Sequence, residues 1–164
     1  MRTAVVDTSP LINLTHLDLA RELTLFFDKI CVPRAVQREL NRKGRFRYRL
    51  NKLYATGFFV RCKIGDPINV RLLQPELHEG EAEALIQAQE QRALFFVGAE
   101  RRARGIAVRM GMKAVGTLRL LARLNLEGRA RELPDLVRVL RQDLGFRVSD
   151  EIVRQAIDLA SEPI

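Results

Sequence analysis

The sequence predicts an α/β fold with a mainly parallel sheet and helices on both of its faces. Three observations point there. Short apolar segments at Thr3 to Val6, Ile30 to Val32 and Leu94 to Val97 lack the alternation of a half-exposed strand. Helically spaced stretches separate them, which is the pattern of βαβ units. No internal repeat or linker-like tract divides the 164 residues, so one domain over 1–164 with a sizeable core is expected.

The elements follow in order. Thr3 to Val6 is the first strand. Leu11, Leu14 and Leu17, then Leu19, Leu23, Phe26 and Phe27, make Ser9 to Phe27 largely helical. A break falls near Asp18, a residue suited to cap a second helix. Ile30 to Val32 is a second strand, stopped by Pro33. Pro33 can open a helix over Arg34 to Asn41, because its missing N–H is not needed in a first turn. The basic stretch that follows includes a short helix up to Tyr54, and Gly57 ends it. Phe58 to Cys62 reads as an edge strand. A loop through Gly65, Asp66 and Pro67 leads to a short segment around Val70 to Leu73.

Gly80 to Gln91, rich in Ala and Glu, is a helix. Leu94 to Val97 is a core strand and Glu100 to Met110 a helix. Ala114 and Val115 form a last strand before Gly116, and Thr117 to Leu126 is helical up to Gly128. Leu133 to Leu144 and Ser149 to Ala160 are amphipathic helices. Ser149 is placed to cap the second, with Ile152 three residues on.

Lys and Arg number 28 against 20 acids, for a net charge of +8. That excess favours a polyanionic partner, nucleic acid first, beside plain solubility or an acidic protein. The first residues lack the pattern of a signal peptide, and no apolar run is long enough to cross a bilayer. Cys31 and Cys62 are isolated, with no C-x-x-C and no neighbouring pair of histidines. They read as reduced packing residues of a cytoplasmic protein rather than zinc ligands.

In a parallel sheet, chemistry gathers at the carboxyl ends of the strands. Asp7 ends the first strand and precedes Thr8, Ser9 and Pro10. It reads either as a helix cap or as an acid facing a crevice. Glu39 follows the second strand on a helix. Glu81 lies in the first turn of the Gly80 helix, where the dipole favours an anion. Glu100 opens the helix after the third core strand. Each is ordinary alone as a helix-end acid.

In series, the stretches VVDTSPLINL, CVPRAVQREL, LHEGEAEALIQA, FFVGAERRARGIA and AVGTLRLLARLNLEG resemble a PIN-domain protein, in the branch related to VapC-type toxin ribonucleases. The resemblance covers about residues 3–128. It implies a three-layer α/β/α sandwich with a mainly parallel sheet, and a ribonuclease dependent on Mg²⁺ or Mn²⁺. It puts Asp7, Glu39 and Glu81 on the first three acidic positions, with Thr8, Ser9 and Thr117 as polar neighbours. Elementary chemistry agrees. Mg²⁺ takes oxygen ligands and keeps several waters. Acids packed together repel and take up protons unless a cation sits among them. No Ser/His/Asp or Cys/His arrangement offers another route, and His16 and His78 are the only histidines. His78 reads as a surface or packing residue near Glu81.

The fourth stretch departs from the family. An acidic pair precedes x-x-Ala-Arg there, and this chain has Ala99-Glu100-Arg101-Arg102-Ala103-Arg104. Alanine cannot ligate a metal. Glu100 matches the second acid and either reaches inward as a metal-site residue or pairs with Arg104 across one turn. Arg101, Arg102 and Arg104 bring positive charge to the same place.

Arg42, Lys43, Arg45, Arg47, Arg49 and Lys52 form a basic arm with Phe46 and Tyr48 interleaved. It can bind RNA phosphates and stack a base, be a solvated helix whose Phe46, Leu50 and Leu53 pack inward, or receive an acidic antitoxin segment. The helices over 133–160 complete the core or form a homodimer face. Two functions are expected from these residues: a metal-dependent endoribonuclease of toxin–antitoxin type, or a catalytically degenerate PIN-like module that binds RNA or protein.

Overall fold

The computed structural model describes residues 1–164. Five strands, β1 (Thr3–Val6), β2 (Lys29–Pro33), β3 (Phe59–Cys62), β4 (Phe95–Val97) and β5 (Lys113–Val115), form one sheet in the order β3-β2-β1-β4-β5. Every neighbouring pair is parallel. β1 is central, with Ala4 opposite Ile30 on one side and Phe95 on the other. That is why all four of its residues are buried and why it shows no alternation.

Nine α-helices surround the sheet: α1 (Thr8–His16), α2 (Arg34–Arg42), α3 (Arg47–Tyr54), α4 (Pro67–Leu73), α5 (Glu79–Glu90), α6 (Arg101–Arg109), α7 (Thr117–Leu126), α8 (Leu133–Leu144) and α9 (Asp150–Asp158). Successive residues of β1 point to opposite faces and so divide the core in two. Ala4 and Val6 join α1, α3, α7, α8 and α9 in the larger cluster. Val5 joins Cys31, Phe96 and the apolar faces of α4, α5 and α6 in the smaller one. The result is the expected three-layer α/β/α sandwich. The C-terminal helices complete its first layer through Leu136, Val137, Leu140, Val153 and Ala156.

Several local expectations change. The region after α1 is not a second α-helix but a 3-10 turn over Ala20–Leu25. Asp18 does not cap it; the residue adopts φ 60° and turns the chain after α1, a conformation that Asp tolerates better than most side chains. The segment around Val70 is a helix, α4. Asp66 caps it by accepting from the N–H groups of Ile68 and Asn69, and Pro67 occupies its first turn. Ser149 caps α9 as expected, accepting from Ile152 N–H at 3.3 Å.

The cysteines are the largest correction. Cys31 on β2 and Cys62 on β3 are not two reduced thiols but a disulfide, with Cα atoms 5.8 Å apart. The two residues are 31 apart in sequence, and only the pairing of β2 with β3 brings them together. No helix is long and apolar enough to cross a membrane.

The register fixes what reaches the carboxyl edge. Asp7 N–H donates to the Val97 carbonyl at 2.9 Å, and Gly98 N–H to the Val115 carbonyl at 3.1 Å. The residues that follow β1, β4 and β5 therefore emerge side by side.

Candidate metal centre at the carboxyl edge

Asp7 is the deepest of the acids at this edge, only 5 % exposed. It is the N-cap of α1, and its Oδ1 accepts from Thr8 N–H at 2.7 Å. That bond favours the ionised form, yet the carboxyl is pushed up to about 6. Burial is the largest cause, and the charges of Glu81, Glu39 and Glu100 add to it. Asp7 thus caps α1, and the charges of three further carboxylates reach it.

Glu81 is also buried, 7 % exposed. It sits in the first turn of α5, where its Oε2 accepts from the backbone N–H of His78 at 3.1 Å. His78 is the N-cap residue of that helix. Gly80, in the same first turn, lies beside Asp7 and Thr8. A β-carbon there would stand 3.8 Å from Asp7 Oδ1 and 3.7 Å from Thr8 Oγ1. Glu83, two residues beyond Glu81, does separate work: its Oε1 accepts from Ala35 N–H at 2.6 Å. That bond satisfies an orphan donor at the start of α2, where Pro33 offers no capping side chain. Sequence spacing does not reveal this role.

The other two acids lie nearer the surface. Glu39, on α2, pairs with Lys43 one turn on at 3.2 Å. Glu100 is exposed and is the N-cap residue of α6, but its side chain caps nothing. It does not pair with Arg104 either. Arg104 Nη1 donates to the carbonyls of Gly98, at 3.1 Å, and of Ala99. Burial lowers the Arg104 pKa below its usual value, against the opposing charge of Glu100.

No three His, Cys, Asp or Glu side chains stand close enough to form a ready-made coordination shell. The donor set therefore does not suit a cation held wholly by protein. A hydrated cation such as Mg²⁺ needs only one or two direct carboxylates, and of the four predicted acids Asp7 and Glu81 are the two buried ones at this edge. Two buried hydroxyls without a partner, Thr8 Oγ1 and Thr117 Oγ1, are available to such a hydrated ion. Thr8 adjoins Asp7, while Thr117 heads α7, just after β5. Ser9 is exposed and lines a cleft with Ala99 and Glu100.

The basic residues divide. Lys43 and Arg45 line that same cleft. Arg102 lies beside Glu81 and Glu100 in a second depression and pairs with Glu76 at 3.0 Å. Arg42, Arg47 and Arg101 are exposed. Arg49 instead donates to the carbonyls of Thr15 and His16, at the far end of α1. It lines a different groove with Tyr48 and Lys52. Phe46, Leu50 and Leu53 pack inward, so the arm is a half-buried helix with a charged outer face. Two further residues line the first cleft: Asn13, inside the first quoted stretch but not singled out there, and Arg147, outside all of them. Arg147 follows α8, more than a hundred residues from Asp7, and no local pattern ties it to this edge.

Comparison with known proteins adds a family. The family model described as DUF3368, PIN domain, matches residues 3–162. No curated protein matches the chain. Among solved structures, a domain of a functionally unknown protein from Methanocaldococcus jannaschii DSM 2661 is similar at 20 % identity. The match covers 71 % of this chain and 91 % of that one, with a TM-score of 0.49.

Proposed function

The chain belongs to the PIN-domain family, a nuclease-type fold, and from that premise we propose that it is a metal-dependent endoribonuclease of toxin–antitoxin type. One observation carries the reading: a buried carboxyl, Asp7, is held at about 6 at the carboxyl edge of the sheet by burial and three neighbouring acids. Such a site gains most from a divalent cation. Asp7 and Glu81 are the direct ligands in this proposal. Glu39 and Glu100 act through water, with Glu39 exchanging its contact to Lys43. When bound, Mg²⁺ or Mn²⁺ would activate a water and neutralise charge on a phosphodiester. Thr8 and Thr117 would offer their buried hydroxyls to the waters of a bound ion. Arg102 and Lys43, on either side of the acids, bind the backbone of the RNA.

The match over 3–162 supports one domain spanning the chain. Arg42, Arg45 and Arg47, exposed and without ion pairs, offer an acidic antitoxin segment a basic face. Exposed Ile152, Ile157 and Leu159, on the last helix and just beyond it, support a homodimer. A cytoplasmic location fits an RNA substrate, whereas the Cys31–Cys62 disulfide is of a kind commoner in oxidising compartments.

Ala99 favours a second reading, a module that binds RNA or protein without cutting it. RNA cleavage with Mg²⁺ and with Mn²⁺, beside EDTA and Asp7→Asn, separates the two. The nuclease reading expects cutting that is lost in both controls and enhanced by Ala99→Asp. Cutting that survives Asp7→Asn, or no cutting by either the native chain or Ala99→Asp, overturns it.

A further inference from the structure

The cleft beside Glu100 has a volume of about 430 Å³, within the roughly 300–1,000 Å³ typical of sites that enclose a small ligand. Four segments distant in sequence wall it: Ser9 and Asn13 on α1, Lys43, Arg45 and Phe46 after α2, Ala99 and Glu100 before α6, and Asp143 to Arg147 at and beyond the end of α8. The last segment is fixed in place. Gly145 takes φ +65°, the left-handed conformation that ends α8 and that glycine adopts without strain. Arg141 Nη2 then binds the Val148 carbonyl and the Asp150 carboxylate, both at 2.7 Å. Half-buried Phe146 and exposed Arg147 are thereby held at the cleft wall.

The groups left free in this cleft are the informative ones. Lys43 is paired with Glu39, and Asp143 with His16 at 2.8 Å. Arg45 and Arg147 make no ion pair and no hydrogen bond; Arg45 only lies over the Phe46 ring, at 5.0 Å. Asn13 is 5 % exposed, and its Nδ2 has no partner in the protein. Buried amides are ordinarily satisfied, so an idle one on a cleft wall points to a ligand acceptor.

We propose that this cleft is a subsite for one nucleotide of a single RNA strand, with Asn13 donating to the nucleotide and Arg45 and Arg147 holding its phosphates. The assignment rests on the nuclease reading for the identity of the polymer, and it adds where the residue next to the cut would lie. A walled pocket of this size takes an unstacked base, which a duplex does not present.

The test is equilibrium binding of a fluorescein-labelled short oligouridylate to the full chain, in EDTA so that nothing is cut, across a salt series. Arg147→Ala weakens binding and lowers the salt slope by roughly 0.7 for each phosphate that is no longer neutralised. Asn13→Ala weakens binding about fivefold, the worth of one hydrogen bond, and leaves the slope unchanged. Binding is read well below the melting temperature of each variant, because truncating a buried side chain also removes packing. Arg109→Ala, exposed at the end of α6 away from Glu100, is the charge control.

The subsite is overturned if the native chain does not bind, or if Asn13→Ala and Arg147→Ala bind as it does. It is also overturned if Arg109→Ala weakens binding as much as Arg147→Ala. Cleavage with Mn²⁺ is assayed in parallel. Intact cleavage with unaltered binding rejects the subsite and keeps the nuclease. Binding that responds to these variants, with no cleavage by the native chain or by Ala99→Asp, rejects the nuclease and keeps the subsite.

Discussion

Arg104 turns its guanidinium away from Glu100, one helical turn earlier, and donates instead to the carbonyls of Gly98 and Ala99. It also fills the space over Gly116, where a β-carbon would stand 3.5 Å from Nη1. One side chain thus joins the loop after β4 to the start of α7, and Glu100 keeps its charge for the acidic edge.

Arg104→Met should therefore act on stability. The substitution keeps much of the apolar stem but leaves two carbonyls without their donor. A loss of about 1–3 kcal/mol is expected, the usual penalty for a partly buried group left unsatisfied. Urea denaturation measures it. A midpoint equal to that of the native chain would show that the two hydrogen bonds contribute nothing.

The acidic edge should also impose a pH dependence on the metal-free protein. The Asp7 carboxyl stands at about 6, against an ordinary value of 3.8. The folded chain holds this proton more tightly than the unfolded one does. The associated stability is full below the unfolded value and is lost as pH rises through about 6. In EDTA, Asp7→Asn should exceed the native chain by up to about 3 kcal/mol at alkaline pH. The advantage should vanish below the unfolded value. Asparagine retains an oxygen that can accept from Thr8 N–H, so the helix cap survives. Denaturation curves at the two pH extremes decide the matter; a difference independent of pH would show that the Asp7 carboxyl is not raised.

The Cys31–Cys62 disulfide should stabilise the sheet edge. Closing a loop of this length restricts the unfolded chain and is worth about 2–4 kcal/mol. Denaturation with and without a reducing agent should show a lower midpoint when the bond is open. Equal midpoints would mean that the thiols pack as well as the disulfide does.

The fold was legible because its signals are local. Unalternating runs at β1 and β4, the proline that opens α2 and the spacing of α5 each report on their own neighbourhood. The acids at strand ends were legible for the same reason. Three features were not. The disulfide depends on the pairing of β2 with β3, which a residue-by-residue reading does not supply. The left-handed turn at Asp18 depends on how α1 meets the 3-10 segment that follows it. Arg147 reaches the cleft only through the packing of α8 and α9 on the first layer. Glu83 lay in view within GEAEA but looked like Glu81; only the docking of α5 against α2 distinguishes a backbone cap from a candidate ligand.

The strand order has a consequence for how the protein comes into being. β1 lies at the centre of the sheet, between β2, which follows it closely, and β4, made some ninety residues later. During translation, β1, β2 and β3 can pair early, while the other flank of β1 waits for its partner. Asp7 and Glu39 belong to that early half, and Glu81, Glu100 and Thr117 to the late one. The acidic edge cannot assemble until the ribosome has released the stretch through α7. A nascent chain is therefore without its assembled acidic edge for most of its synthesis, and gains it only once the long-range pairing of β1 with β4 closes the sheet.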